Sequence, residues 1–223
     1  MPRAARSGRK GEGSGRVRDV IRGSPHRVVG QFAWVKGTRK NVQWESRPER
    51  DAIRIAAVDH RILGIQEQPF VVNYRFDGGL HKYTPDLQLA LFPKPLVVEV
   101  KELAEANTPE NQARFLEISR VLANEGFDFA VWTEKEFRSQ PHLDIATYVL
   151  RYRNYPFDYN ETRQVRVLLE KRGSLRSSEL CKRCGPKVTT ESLFAMSCFG
   201  LVHVNCGMPL GNDPTFHPVP NHA

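Results

Sequence analysis

Tyr83-Thr84-Pro85-Asp86 and, further along, Val97-Val98-Glu99-Val100-Lys101 are the two stretches whose reading decides the fold, with Glu99 standing 13 residues after Asp86. Side chains alternate across a strand, so the second stretch predicts Glu99 and Lys101 on one face and Leu96, Val98 and Val100 buried on the other. The first stretch opens another apolar strand through Leu87, Leu89 and Leu91. If that strand delivers Asp86 to the face of Glu99, two carboxylates can hold Mg²⁺ while the Lys101 ammonium meets an attacking water or a phosphate. The competing reading is a structural ion network, because a Glu two residues before a Lys also occurs on ordinary solvated strands. The continuously apolar surroundings favour the metal site, since a charged pair on an interior strand needs a partner.

Working outward, Ser46 followed by Glu49 forms a capping box, Pro48 suits a first helical turn, and Ala52, Ile53, Ile55, Ala56 and Ala57 supply a buried face. The pattern predicts a helix from Ser46 to about His60. Residues 62–76 read as extended chain broken at Gln68-Pro69, Asp77-Gly78-Gly79 as a turn, and 81–92 as a strand. Pro93-Lys94-Pro95 turns into a strand over 96–102. A helix over 109–124 ends at Gly126, a short strand covers 127–132, and 134–137 and 145–153 read as helical. The expected order is α, β, β, β, α, β.

The 223 residues carry a formal charge of +8, which is unevenly spread: residues 1–40 hold 11 Lys and Arg against 2 acids. This Gly-, Ser- and Arg-rich arm has too few apolar residues before Val28 to form a core, and its charge suits a DNA backbone, where phosphate contacts release counterions. A solubilising or RNA-binding tail is the alternative. No apolar run is long enough to span a membrane, and no apolar stretch follows the basic terminus, so the expected location is the cytoplasm.

Beyond Tyr159 the pattern changes to three short helices, around Val165-Leu168-Leu169, over 177–184 and over 189–199. Two strand candidates follow, at 201–204 and 216–219. This is a winged helix-turn-helix outline. The expected division is a basic arm (1–40), a nuclease-type unit (41–155) and a winged-helix-like unit (156–223). The expected DNA contacts are Arg39 and Lys40 near the arm and Arg176, Lys182, Arg183 and Lys187 in the C-terminal unit. The latter four suit a partner-protein surface equally well.

Read in order, Gln43-Trp44-Glu45-Ser46-Arg47-Pro48-Glu49-Arg50-Asp51, Gln66-Glu67-Gln68-Pro69, Tyr83-Thr84-Pro85-Asp86 and Val98-Glu99-Val100-Lys101 resemble the TnsA-like transposon endonucleases over about residues 41–140. The resemblance implies a restriction-endonuclease-like α/β core, a mixed sheet flanked by helices, followed by a small winged-helix-like domain. It also implies cutting of double-stranded DNA at transposon ends, beside a DDE-type transposase and an AAA+ regulator. Its catalytic residues fall on Glu49, Asp86, Glu99 and Lys101. The ligands expected for Mg²⁺, with Mn²⁺ as a substitute, are Asp86, Glu99 and the Val100 carbonyl oxygen. For Glu49, helix capping at Ser46 is the competing role. Glu67 and Gln68 either face the site or serve a hairpin.

Cys181-x-x-Cys184, Cys198 and Cys206 lack a second Cys-x-x-Cys pair, and their spacing argues against structural zinc. A stand-alone defence or repair nuclease and a non-cleaving DNA-binding adaptor are the two other functional classes the sequence leaves open.

Overall fold

The computed structural model describes residues 29–37 and 40–220; the arm over 1–28 and Arg39 lie outside the described residues. The chain begins with an antiparallel hairpin, β1 (Gly30–Trp34) and β2 (Lys40–Trp44), that sequence reading did not anticipate. Helix α1 (Arg47–Val58) follows, with Ser46 as its N-cap and Ala52, Ile53, Ile55, Ala56, Ala57 and Val58 buried. The expected helix is thus present within a residue or two at either end.

A four-stranded sheet lies at the centre. Its strands are β3 (Gly64–Glu67), β6 (Leu87–Ala90), β7 (Leu96–Val100) and β8 (Asp128–Trp132), in the spatial order β3-β6-β7-β8. The β3, β6 and β7 neighbours run antiparallel and β7 and β8 run parallel, so the sheet is mixed. The parallel pair is joined across a face of the sheet by α2 (Leu103–Ala106) and α3 (Pro109–Asn124), the crossover that a parallel pair requires. Thr108 caps α3, Pro109 occupies its first turn, and Gly126 leaves it with a φ of 86°, a left-handed turn that suits glycine.

Alternation along β7 sorts its residues as expected. Val98 and Val100 join the buried cluster with α1, while Val97 packs with Phe115, Ile118 and Leu122 of α3 on the opposite face. One expected strand, 81–92, is divided. Its first part is β5 (Gly79–Tyr83), paired with β4 (Val72–Phe76) in a separate hairpin, and its second part is β6. Pro85 lies between them, and a residue with no backbone N–H donor marks where the chain leaves one sheet for the other. The β4–β5 hairpin buries Val72, Tyr74 and Tyr83 against α3.

Helices α4 (Glu134–Phe137) and α5 (His142–Val149) and a 3-10 turn (Leu150–Tyr152) lead to the C-terminal portion. There α6 (Tyr159–Arg172), α7 (Ser177–Cys184) and α8 (Thr190–Cys198) accompany a small antiparallel sheet of β9 (Leu175–Arg176), β10 (His203–Val204) and β11 (Thr215–His217), in the order β10-β11-β9. Every residue of α8 from Ser192 to Cys198 is buried. One continuous buried cluster runs from Trp34, Val42 and Ile53 through Val149 and Leu193 to Phe216. The four cysteines are free thiols, half-buried at 181 and 184 and buried at 198 and 206. Among the described residues no helix is long and apolar enough to cross a membrane.

A row of imidazoles lies where the end of α1 meets β10 and β11: the ring centroids of His60 and His203 are 4.4 Å apart, and those of His203 and His217 are 5.6 Å apart. Burial, then the neighbouring His60 and His217, push His203 down to about 4. Between pH 6.5 and 4 the unfolded chain therefore takes up a proton that folded His203 refuses, so this contribution to stability is complete above 6.5 and is lost as pH falls. Urea melts of wild type and His203→Asn at pH 6.5 and 4.5 should show a smaller loss in the variant. Equal losses would contradict this.

Candidate active site

The register of the central sheet brings the expected acids together. Leu87 pairs with Val98, so the next antiparallel position sets Asp86 across from Glu99, and residues directly opposite share a face. Asp86 Oδ2 accepts a 2.8 Å hydrogen bond from the Val100 N–H. This bond fastens the first residue before β6 to the end of β7. The main chain on the other side is also tied, since the Gln68 N–H donates to the Asp86 carbonyl at 2.9 Å. Gln68 adopts a φ of 42°, an uncommon conformation for a residue with a side chain, and its Nε2 donates to Glu45 Oε1 at 2.6 Å.

Glu99 is buried, with 7 % of its surface exposed. The Tyr83 hydroxyl donates to its Oε2 at 2.7 Å, and Lys101 Nζ lies 3.5 Å from its Oε1. Burial and then the Glu99 charge hold the Tyr83 phenol far above its usual range, so this hydroxyl remains a donor. Lys101 follows β7, its N–H bonded to the Trp132 carbonyl, with a third of its side chain exposed.

Glu49 caps α1. Its Oε1 accepts from the Ser46 hydroxyl and its Oε2 from the Glu45 N–H, both at 2.8 Å, while its own N–H donates to Ser46 Oγ. The cap thus reaches back to Glu45, one residue earlier than an ordinary capping box. Burial raises Glu49 above the usual carboxylate range against the pull of these bonds, with the Glu45 and Glu99 charges adding to the rise. Asp86 is raised well above its ordinary value by burial, then by Glu99 and Glu49; Glu99 is raised by burial, against the pull of Tyr83 and Lys101.

These groups border a cleft of about 660 Å³ lined by Glu49, Asp86, Val100, Lys101 and Arg138 together with Glu45–Pro48, Glu102 and Glu105. Glu99 is not among the lining residues. Among the described residues no group of three His, Cys, Asp or Glu side chains is arranged to enclose a metal ion. The facing pair of carboxylates is nonetheless a donor set that fits Mg²⁺, which is commonly held by one or two carboxylates, with water and substrate phosphates completing the shell.

Other expected contacts are arranged differently. Lys40 Nζ donates to Gln66 Oε1 at 2.8 Å and lies 3.8 Å from Glu67 Oε2, so it is engaged within the fold. Glu67 is buried and accepts from the Gln43 N–H, which gives it a structural role between β2 and β3. Arg176, Lys182, Arg183 and Lys187 are exposed on and beside α7, with Arg183 bonded to Glu179, and none of them lines the cleft. Sequence reasoning missed Tyr83, although it quoted that residue, and Arg138, which carries no motif signal.

A mixed sheet flanked by helices, with paired acids at the end of one strand pair, is consistent with a restriction-endonuclease-like core. Residues 59–134, about a third of the chain, match the family model described as "TnsA-like endonuclease N terminal". Over that span the chain is similar to the TnsA-like endonucleases. Asp86, Glu99 and Lys101 lie within the matched span, and Glu49 and the C-terminal portion lie outside it. No curated protein matches the chain.

Proposed function

We propose that this chain is the metal-dependent DNA endonuclease component of a transposition machinery, hydrolysing phosphodiester bonds at transposon ends in the cytoplasm. The observation that carries the reading is the register that sets Asp86, just before β6, across from the buried Glu99 of β7, with Lys101 3.5 Å from Glu99 and Asp86 and Lys101 lining a cleft open to solvent. The family match supports the nuclease class and the transposon setting.

Asp86, Glu99 and the Val100 carbonyl oxygen would hold Mg²⁺ or Mn²⁺, which would supply a bound water of lowered pKa and a Lewis acid for the phosphoryl oxygens. Tyr83 fixes one Glu99 oxygen, and the Val100 N–H fixes Asp86. Lys101 faces the negative charge that builds on the phosphate as water bonds to phosphorus and an ester oxygen departs with a proton. Each Glu49 oxygen keeps a further lone pair beyond its cap bond, which lets Glu49 orient that water.

The C-terminal portion is proposed to act as a winged-helix-like unit over residues 156–223, with Arg176, Lys182, Arg183 and Lys187 on DNA or on a partner. The proposed nuclease unit runs to residue 155 and takes in the β1–β2 hairpin, which the expected arm over 1–40 overlapped, and the basic residues before β1 are proposed to lie on the DNA backbone. A DDE-type transposase and an AAA+ regulator are the proposed partners. The test is incubation of the chain with the transposase encoded beside it and a transposon-end duplex in Mg²⁺, with strand breaks mapped. Breaks at the end that require both proteins support the reading. Breaks without the transposase would make this a stand-alone nuclease, and binding without breaks a non-cleaving adaptor.

A further inference from the structure

One residue lining the cleft, Arg138, belongs to an ion-pair arrangement that the catalytic reading does not use. Asp51, on α1, is 3 % exposed, yet its single carboxylate meets three guanidinium groups. Arg50 donates to Oδ1 through Nε at 3.0 Å and through Nη2 at 2.8 Å, Arg54 Nη1 lies 3.6 Å from the same oxygen, and Arg138 Nε donates to Oδ2 at 3.2 Å. One negative charge therefore faces three positive ones, and the surplus is positive.

Arg138 alone of the three lines the cleft. It uses only its inner nitrogen on Asp51; among the described residues its two terminal nitrogens have no hydrogen-bond partner, and 37 % of its side chain is exposed. A guanidinium serving only to tie α4 to α1 would be expected to commit its paired donors, as Arg50 does. Held by Nε, it instead keeps the end-on edge of the fork, the edge that pairs with two oxygens of a phosphate. The same cleft is lined by Glu45, Glu49, Asp86, Glu102 and Glu105, a wall that repels a polyanion unless cations offset it. Lys101 lies beside the reacting position, which leaves Arg138 and the exposed Arg47 to meet the neighbouring backbone.

We infer that Arg138 binds a non-reacting phosphate of the DNA strand entering the cleft, and that Asp51 is the positioning residue that aims it. This rests on the endonuclease reading above and adds to it the residue that seats the strand. Such a contact is independent of base sequence and releases counterions.

DNA binding to the full chain, followed by fluorescence anisotropy over a series of salt concentrations, tests this in Arg138→Gln, Arg138→Lys and Asp51→Asn. Arg138→Gln should bind about tenfold more weakly, with the slope of log affinity against log salt reduced by about one, equally on unrelated duplexes. Arg138→Lys keeps the charge and should keep the slope while losing several-fold in affinity, because the fork is lost. Asp51→Asn should weaken binding with its slope kept. In cleavage the Arg138→Gln loss should fall on KM rather than kcat. A folded Arg138→Gln protein with wild-type affinity and slope overturns the inference and leaves Arg138 a strut. If that variant does not fold, wild-type affinity in Arg138→Lys overturns it instead. The binding measurement stands apart from catalysis: a wild-type chain that binds but never cuts would defeat the endonuclease reading, and the slopes would still decide Arg138.

Discussion

Asp86→Asn is expected to lower DNA cleavage by at least about a thousandfold, the scale of a lost Lewis-acid site, while raising the melting temperature of the metal-free protein. Activity falls because one of two facing carboxylates is gone; Lys101→Ala should lose activity on a similar scale with the fold intact. Stability rises for a separate reason. Asp86 is buried beside Glu99 and Glu49 and held well above the usual carboxylate range, so keeping it ionised at pH 7 costs folding free energy. The sign follows: a carboxyl raised in the folded state contributes most when protonated, and that contribution is lost as pH rises through its folded pKa. Asparagine removes the charge and can still accept the Val100 N–H. The gain should appear as a higher melting midpoint of the metal-free variant at neutral pH, shrinking as pH is lowered. Thermal melts in a chelator give the answer, and a lower midpoint for the variant would show that the acid cluster is not strained.

Phe216→Ala is expected to cost about 3–5 kcal/mol, the range for truncating a buried phenylalanine. Phe216 is fully buried in β11, its ring 5.6 Å from that of Phe194 in α8. Because the buried cluster continues from Phe216 to Trp34 and the β-sheet, the loss should not stay local. All three tryptophans, Trp34, Trp44 and Trp132, precede residue 156. Tryptophan fluorescence in a denaturant titration should therefore report the lowered midpoint. An unchanged tryptophan transition would mean that the C-terminal portion unfolds separately.

What was legible followed from short-range rules. The Ser46 cap, the Pro109 start and the Gly126 stop are local backbone chemistry, and the apolar alternation of Leu96–Val100 set the face that Glu99 occupies. The β1–β2 hairpin was not legible, because Phe32 and Trp34 stand among basic and polar residues without a clean alternation. The strand over 81–92 was read as continuous because its apolar pattern persists, although Pro85 breaks the ladder between two sheets. Arg138 and Asp51 lie 87 residues apart; an ion pair at that separation has no periodic signature, and only the packing of α4 on α1 reveals it. The Tyr83 hydroxyl on Glu99 was hidden for a related reason, since strand alternation predicts a face and not a hydrogen-bond partner.

The most direct test of the metal site is a Mn²⁺ titration followed by electron paramagnetic resonance on the wild-type chain, Asp86→Asn and Glu99→Gln. The arrangement of β6 and β7 predicts saturable binding in the wild type, weakened about tenfold or more in each variant. Equal Mn²⁺ affinity in all three proteins would contradict it.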